Sequence, residues 1–190
     1  MKRIVVGITG ASGIIYGIRL LEVLKDLKID THLILTEIAK KVITIETKLT
    51  VKDVEGLAYE SYDINDSVAP MSSGSFKTNG MVIAPCTIKT LSGVAHSYND
   101  NLLIRAADVT LKEMRRLILV VRETPLHKGH LELMQKVAER GGVILPPIPA
   151  FYHFPRGIQD LIDHTIGKVL DLLEIDHRLF KRWEGSQRIE

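Results

Sequence analysis

A single cysteine, Cys86, leaves this chain of 190 residues without the means to close an intrachain disulfide. That excludes a disulfide-stapled secreted scaffold and suits a reducing compartment. Neither sign of charge is in surplus: 25 Lys and Arg face 23 Asp and Glu, for a net charge of +2. A general polyanion-binding surface is therefore excluded, nucleic acid is not an expected partner, and any basic site must be local. No apolar run approaches the roughly 20 residues of a membrane span. Met1-Lys2-Arg3 and the apolar residues after it open like a signal peptide, but Gly7, Thr9, Gly10 and Ser12 interrupt the stretch too early. There is no internal repeat, no low-complexity tract and no linker. Hydrophobic residues make up 45% of the chain, enough to fill one core. The expectation is one cytoplasmic α/β domain over residues 1–190, with no membrane partner, closing on a C-terminal helix and a tail over about 175–190.

Strand and helix patterns alternate along the chain. Lys2 to Ile8 is an apolar run suited to a buried parallel strand, and Thr31 to Leu35, Tyr59 to Ile64, Gly80 to Ala84, Leu117 to Val121 and Val143 to Leu145 follow as further strands. Helical periodicity fills the intervals: Ile14 to about Lys28, a Thr36-capped helix to about Thr47, a short segment from Thr50, helices from about Thr87 and Asp100, one around His130 to Arg140, and Gly157 to Leu173. Asn65 to Asn79, rich in Ser, Gly and Pro, reads as a long loop. The alternation predicts a Rossmann-like, doubly wound open parallel sheet of about six strands in the order 3-2-1-4-5-6. In that topology the loops Gly10 to Gly13, Thr36 to Glu37, Pro85 to Thr90 and Arg122 to Pro125 each follow a strand and converge on one edge.

The first of these, Thr9-Gly10-Ala11-Ser12-Gly13, has the build of a phosphate-cradling turn. Gly10 and Gly13 permit tight backbone geometry and the close approach of a ligand, and Ser12 can cap the following helix. A glycine-rich helix start without a ligand has the same pattern. In Ala84-Pro85-Cys86-Thr87-Ile88-Lys89-Thr90, Pro85 ends the strand, and Thr87 and Thr90 offer hydroxyls near a helix start that suit a phosphate or a flavin edge. A capped helix beside a buried thiol reads alike, and Cys86, with no base nearby, is structural.

Arg122-Glu123 follows a hydrophobic strand. The guanidinium can grip phosphate and the carboxyl can exchange a proton with it, although such pairs are also surface ion pairs. Arg105 and Lys112, seven residues apart, fall near one helix face, as either a solvated face or a ligand site. Tyr152, within Phe151-Tyr152-His153-Phe154, can bond a phosphate oxygen, with hydrophobic packing as the default. Trp183 can dock on a neighbouring subunit or anchor the C-terminus. His127 and His130 lack companions for a metal site, and no metal is expected.

Gly10-Ala11-Ser12-Gly13, Ser73-Gly74-Ser75, Ala84-Pro85-Cys86-Thr87, Arg105-Ala106-Ala107-Asp108, Arg122-Glu123-Thr124-Pro125 and Phe151-Tyr152-His153 occur in an order and spacing that closely resembles the UbiX-type flavin prenyltransferases, from about Lys2 to Trp183. The resemblance implies a flavoprotein fold and a metal-independent reaction. In it, a dimethylallyl group from dimethylallyl phosphate is joined to N5 and C6 of reduced FMN, making prenylated FMN for a UbiD-type decarboxylase. It implies FMN contacts at Gly10, Ala11 and Ser12, at Thr36 and Thr87 where relatives commonly carry serine, at Ile88, Lys89 and Thr90, and at Arg105 and Arg122. It implies a substrate phosphate site of Lys112, Arg122, Tyr152 and Lys168, with Glu123 exchanging a proton beside it. Ser12 and Glu46 match a polar pair associated with proton movement, although sequence alone makes Glu46 an exposed helix-end carboxylate. Trp183 matches an aromatic that closes the prenyl site. The family builds that site between subunits of a homo-oligomer, commonly a dodecamer. An FMN-dependent cysteine decarboxylase would share the flavin turns, but the chain has no convincing asparagine-methionine clamp. A non-catalytic flavin carrier would leave Glu123 and the phosphate set without a use.

Overall fold

Runs such as Leu117-Ile118-Leu119-Val120-Val121 contain no polar alternate residue, so the strands they form must be covered on both faces. The computed structural model, which describes residues 2–183 and 185, covers them. Strands β1 (Arg3–Ile8), β2 (Asp30–Leu35), β3 (Glu60–Tyr62), β4 (Gly80–Cys86), β5 (Leu117–Val121) and β6 (Val143–Ile144) make one parallel sheet in the order β3-β2-β1-β4-β5-β6. This is the order the alternation predicts. Helices α1 (Ile14–Asp26), α2 (Glu37–Glu46), α3 (Val51–Glu55), α4 (Ile88–His96), α5 (Leu102–Lys112), α6 (Lys128–Glu139) and α7 (Ile158–Leu172) flank it.

The pleat divides the core in two. Ile4, Val6 and Ile8 of β1 pack with α1, α2 and α7 on one face, while Val5 joins α4, α5 and α6 on the other. Each fully buried Ile or Leu contributes about 1.5–3 kcal/mol of transfer free energy, and both layers are built almost wholly of such residues. An Arg19–Asp163 ion pair of 2.7 Å ties α1 to α7.

Three expectations are corrected. Pro85 does not end its strand: β4 continues to Cys86, which pairs with Val121 after a register shift beyond Ile83. Proline lacks an N–H, but an irregularity in the ladder accommodates it. Ser12 is not the cap of α1. The N-cap is Gly13, whose φ of 92° lies in the left-handed region that favours glycine. The described residues after Ile175 form no helix, and follow α7 as an irregular tail. Phe180 and His177 of that tail lie against Gly167, where a Cβ would fall 2.3 Å from the Phe180 ring. Asp171 accepts from His177 at 3.1 Å and from Arg182 at 2.6 Å, so the tail is fastened to its own helix.

Candidate active site

In a parallel sheet every strand delivers its following loop to the same edge, and here backbone contacts stitch those loops to one another. Thr36 donates its N–H to the Ile8 carbonyl at 3.1 Å, and Arg122 donates to the Cys86 carbonyl at 3.1 Å. Between them Thr9, which is buried, donates its hydroxyl to the Pro85 carbonyl at 2.7 Å and accepts the Thr87 N–H at 2.9 Å. Thr9 has no role of its own among the site residues expected from the sequence. A hydroxyl at the end of an otherwise apolar strand was the signal, because a buried hydroxyl requires partners.

At the first loop, Gly10 is held by close approach of protein. A Cβ there would stand 2.1 Å from Cγ2 of Ile38, at the start of α2. The N-terminus of α1 is occupied by a side chain. Glu46 Oε2, from the far end of α2, accepts the N–H of Gly13 at 2.9 Å and of Ile14 at 3.0 Å. Burial acts to raise the Glu46 carboxyl, but the Ser12 hydroxyl, the two N–H groups and the Arg122 charge outweigh it and hold the group below its ordinary value. Glu46 is thus an exposed carboxylate at a helix end, as its place in the sequence implies, and it is also tethered at the positive end of the α1 dipole. It takes up two of the donors that a phosphate would use, the N–H groups of Gly13 and Ile14. The first turn presents Ser12, Glu46 and Arg122 as one polar cluster. Tyr16 adjoins it, with its hydroxyl raised mainly by burial and lowered in smaller part by Arg122.

The N-terminus of α4 has the donors that α1 lacks. Thr87 caps it, accepting the Thr90 N–H at 3.2 Å and donating to the Thr90 hydroxyl at 3.1 Å. The N–H groups of Ile88 and Lys89 have no acceptor among the described residues. Two free N–H groups, a capping hydroxyl and the exposed Lys89 fit the phosphate of FMN. Thr36 caps α2 in the same way, accepting the Ala39 N–H at 3.1 Å. Cys86 is fully buried and burial pushes its thiol up, which removes it as a nucleophile.

The remaining candidates fall into three places. Arg122 and Glu123 are exposed beyond β5 and do not pair with each other among the described residues; Glu123 Oε1 accepts the Thr124 N–H at 3.0 Å. Arg105 and Lys112 do share a face of α5, turned to the loop of residues 65–79. Arg105 donates to the Ser72 carbonyl at 3.1 Å, and Lys112 pairs with Glu113 beside Gly74. However, α5 leads into the start of β5, so Lys112 sits toward the opposite edge of the sheet from Arg122. Tyr152, Lys168 and Trp183 make the third group, against the flank of α7. The Tyr152 and Trp183 ring centroids are 6.0 Å apart, and Lys168 lies one turn along α7 from His164, which meets the Tyr152 hydroxyl at 2.8 Å. The expected packing of the aromatic segment is corrected: Phe151, Tyr152 and Phe154 are 67%, 48% and 79% exposed. One protomer therefore does not bring Lys112, Arg122, Tyr152 and Lys168 together. The His127 and His130 ring centroids lie 3.6 Å apart with the rings tilted by 35°, and no three His, Cys, Asp or Glu side chains among the described residues gather around a metal-sized space.

The chain matches the Flavoprotein family model over residues 1–178. It is 54% identical over 189 residues to the flavin prenyltransferase UbiX of Salmonella typhimurium, covering 98% of this chain and all of the relative. Among solved structures, AnUbiX (PadA1), crystallised with FMN and dimethylallyl pyrophosphate, superposes with a TM-score of 0.96 at 46% identity, covering 98% of this chain and 99% of that one. A dodecameric FMN-dependent UbiX-like decarboxylase from Escherichia coli O157:H7 does so with a TM-score of 0.94 at 43% identity, covering 96% and 100%.

Proposed function

The chain belongs to the flavoprotein family and, within it, to the flavin prenyltransferases, and from that premise we propose that it joins a dimethylallyl group from dimethylallyl phosphate to N5 and C6 of reduced FMN. The product, prenylated FMN, serves a UbiD-type decarboxylase, and the work is cytoplasmic; no described helix is long and apolar enough to cross a membrane. The observation that carries the reading is the pairing of a free α4 N-terminus with the Ser12–Glu46–Arg122 cluster at one sheet edge. The first suits a flavin phosphate, and the second a ring that must be held and exchange protons. Reduced FMN, when bound, supplies the nucleophilic ring atoms.

The chain's own residues supply the rest. Thr87, Ile88, Lys89 and Thr90 hold the flavin phosphate, with Thr36 and the Gly10–Ser12 turn along the flavin and Arg105 at its margin. Ser12 and Glu46 keep a proton route at the Glu46 carboxylate. The departing phosphate needs cations and donors, which Lys112, Arg122, Tyr152 and Lys168 provide, while Glu123 returns a proton to it. Trp183 offers a π face to the allylic carbon as it gains positive charge.

This division of labour requires more than one copy. Lys112 is remote from Arg122 within the protomer, and Ile148, Phe151, Phe154 and Ile158 leave an exposed apolar surface around Tyr152. A homo-oligomer, dodecameric like the relative from Escherichia coli, covers that surface and completes the cationic set from a neighbour.

Anaerobic incubation with reduced FMN and dimethylallyl phosphate, without added metal, tests the reading by mass analysis of the flavin. The expected result is a gain of one five-carbon unit. Unaltered flavin mass with both mono- and diphosphate donors, on folded protein, would sink it.

A further inference from the structure

Tyr152 stands on an irregular segment between β6 and α7, where an exposed tyrosine has no backbone ladder to fix its ring. What fixes it is a histidine outside every role assigned above. His164, on α7 and only 7% exposed, places Nε2 2.8 Å from the Tyr152 hydroxyl, and the two rings meet edge to face at 81°. The imidazole is itself immobilised. The ring of His153 stacks on it at 4.8 Å and 7°, and the ring of Phe180 from the docked tail closes on it at 4.7 Å.

We propose that His164 is the positioning residue for Tyr152, donating from Nε2 to the tyrosine oxygen so that the single hydroxyl proton is free for a phosphate oxygen. The inference rests on the reading of Tyr152 as a ligand of the substrate phosphate. A tyrosine hydroxyl has one proton, and a neutral imidazole has one N–H. If Nε2 accepted, that proton would be spent on the histidine, and Tyr152 would meet a phosphate with lone pairs only. With the proton on Nε2, the tyrosine oxygen accepts from behind and donates forward, and polarisation along the chain strengthens the outer bond. Burial, and after it the neighbouring His153 and Lys168, push the His164 imidazole below its ordinary value, which keeps it neutral near pH 7 against the opposing pull of Asp171.

A packing role alone would be met by any ring of similar size. His164→Phe keeps the ring and removes both nitrogens; His164→Gln keeps an N–H donor. In the phenylalanine variant KM for dimethylallyl phosphate is expected to rise roughly tenfold, the effect of one lost bond to a charged group. KM for reduced FMN should not move. The glutamine variant should recover most of the loss. In a Tyr152→Phe background, His164→Phe should add nothing. Binding of inorganic phosphate, followed by calorimetry, should weaken by a similar factor, and nitrogen NMR of the unaltered protein should show the His164 proton on Nε2 when phosphate is bound.

A protein that prenylates FMN, but whose His164→Phe form keeps the parent's KM and phosphate affinity, overturns this role and leaves the proposed function standing. A full further loss in the Tyr152→Phe background also overturns it. An unaltered chain that leaves FMN unchanged overturns the function instead, and the phosphate titrations then decide on His164 by themselves. Should the phenylalanine variant not fold, the proton position in the unaltered protein still decides, since a proton on Nδ1 is incompatible with the proposal.

Discussion

Glu46 accepts the backbone N–H of Gly13 at 2.9 Å although 33 residues separate them, so the last residue of α2 caps the first turn of α1. A carboxylate in that place does two things at once. It satisfies helix donors, and it stands beside Ser12 and Arg122 as a charged member of the site. Glu46→Gln retains an acceptor but loses the charge. It should cost about 1 kcal/mol, hence about 2–4 °C in Tm. It should also slow prenyl transfer by more than that loss explains. Thermal unfolding and single-turnover rates measured side by side separate the two effects; equal rates would leave Glu46 as a cap only.

The close contact at Gly10 makes a second prediction. A Cβ there meets Cγ2 and Cβ of Ile38 at 2.1 and 2.6 Å, so Gly10→Ala must displace the start of α2. A destabilisation of about 1–3 kcal/mol is expected, with weaker FMN binding. Ile38→Ala in the same chain removes Cγ2, the nearest obstructing atom, while keeping Cβ, and should restore part of both. If the double variant is no better than the single, the obstruction lies elsewhere.

For Glu123 the expectation concerns rate. Glu123→Gln preserves size and the acceptor for Thr124, but cannot pass a carboxyl proton. With saturating reduced FMN, prenyl transfer should fall by about 10²–10⁴-fold while FMN is retained. A rate like the parent's would remove Glu123 from the chemistry.

A site shared between copies predicts complementation. Lys112→Ala and Tyr152→Phe chains should each be poorly active. After subunit exchange, roughly a quarter of the sites in an equal mixture carry both native residues, if the two come from different copies. Activity that does not rise on mixing would place Lys112 and Tyr152 in the same copy or outside the site.

Acid should weaken the fold before its carboxylates titrate. His32, 3% exposed, is held below its ordinary value mainly by burial and then by Arg3, against Glu60 and Asp30. The unfolded chain takes up that proton near pH 6.5 and the native one only at lower pH, so between the two the unfolded state binds more protons. Stability is then complete above about pH 6.5 and declines as pH falls toward the native value. His164 contributes in the same direction. His32→Leu should lower Tm at pH 7.5, because the Tyr62 hydroxyl loses its 2.9 Å partner, yet flatten the fall of Tm toward pH 5. An equally steep decline in the variant would assign the acid limb to other groups.

The parts of this molecule that were legible in the sequence are those set by short-range chemistry. Thr36, Thr50 and Thr87 each cap the helix that follows them, as their position before a periodic run implies. The sheet order follows from alternation and handedness. What escaped were relationships between distant segments. The acceptor at the start of α1 arrives from Glu46, because the cap position itself is held by Gly13, which has no side chain to offer. The tail docks because Gly167 leaves room for Phe180, which no local pattern reports. Lys112 and Arg122 match one motif set, yet a helix running against the strands carries Lys112 away from the edge where β5 delivers Arg122.

The tail fastened by Asp171 and Arg182 carries the only tryptophan of the chain to within 6.0 Å of Tyr152. The protein therefore contains its own optical reporter. Every ultraviolet-excited indole photon originates beside the surface assigned to the substrate, and a flavin bound nearby is an acceptor for that energy. Filling and emptying of the site can be followed in unlabelled protein, with no second indole to dilute the signal.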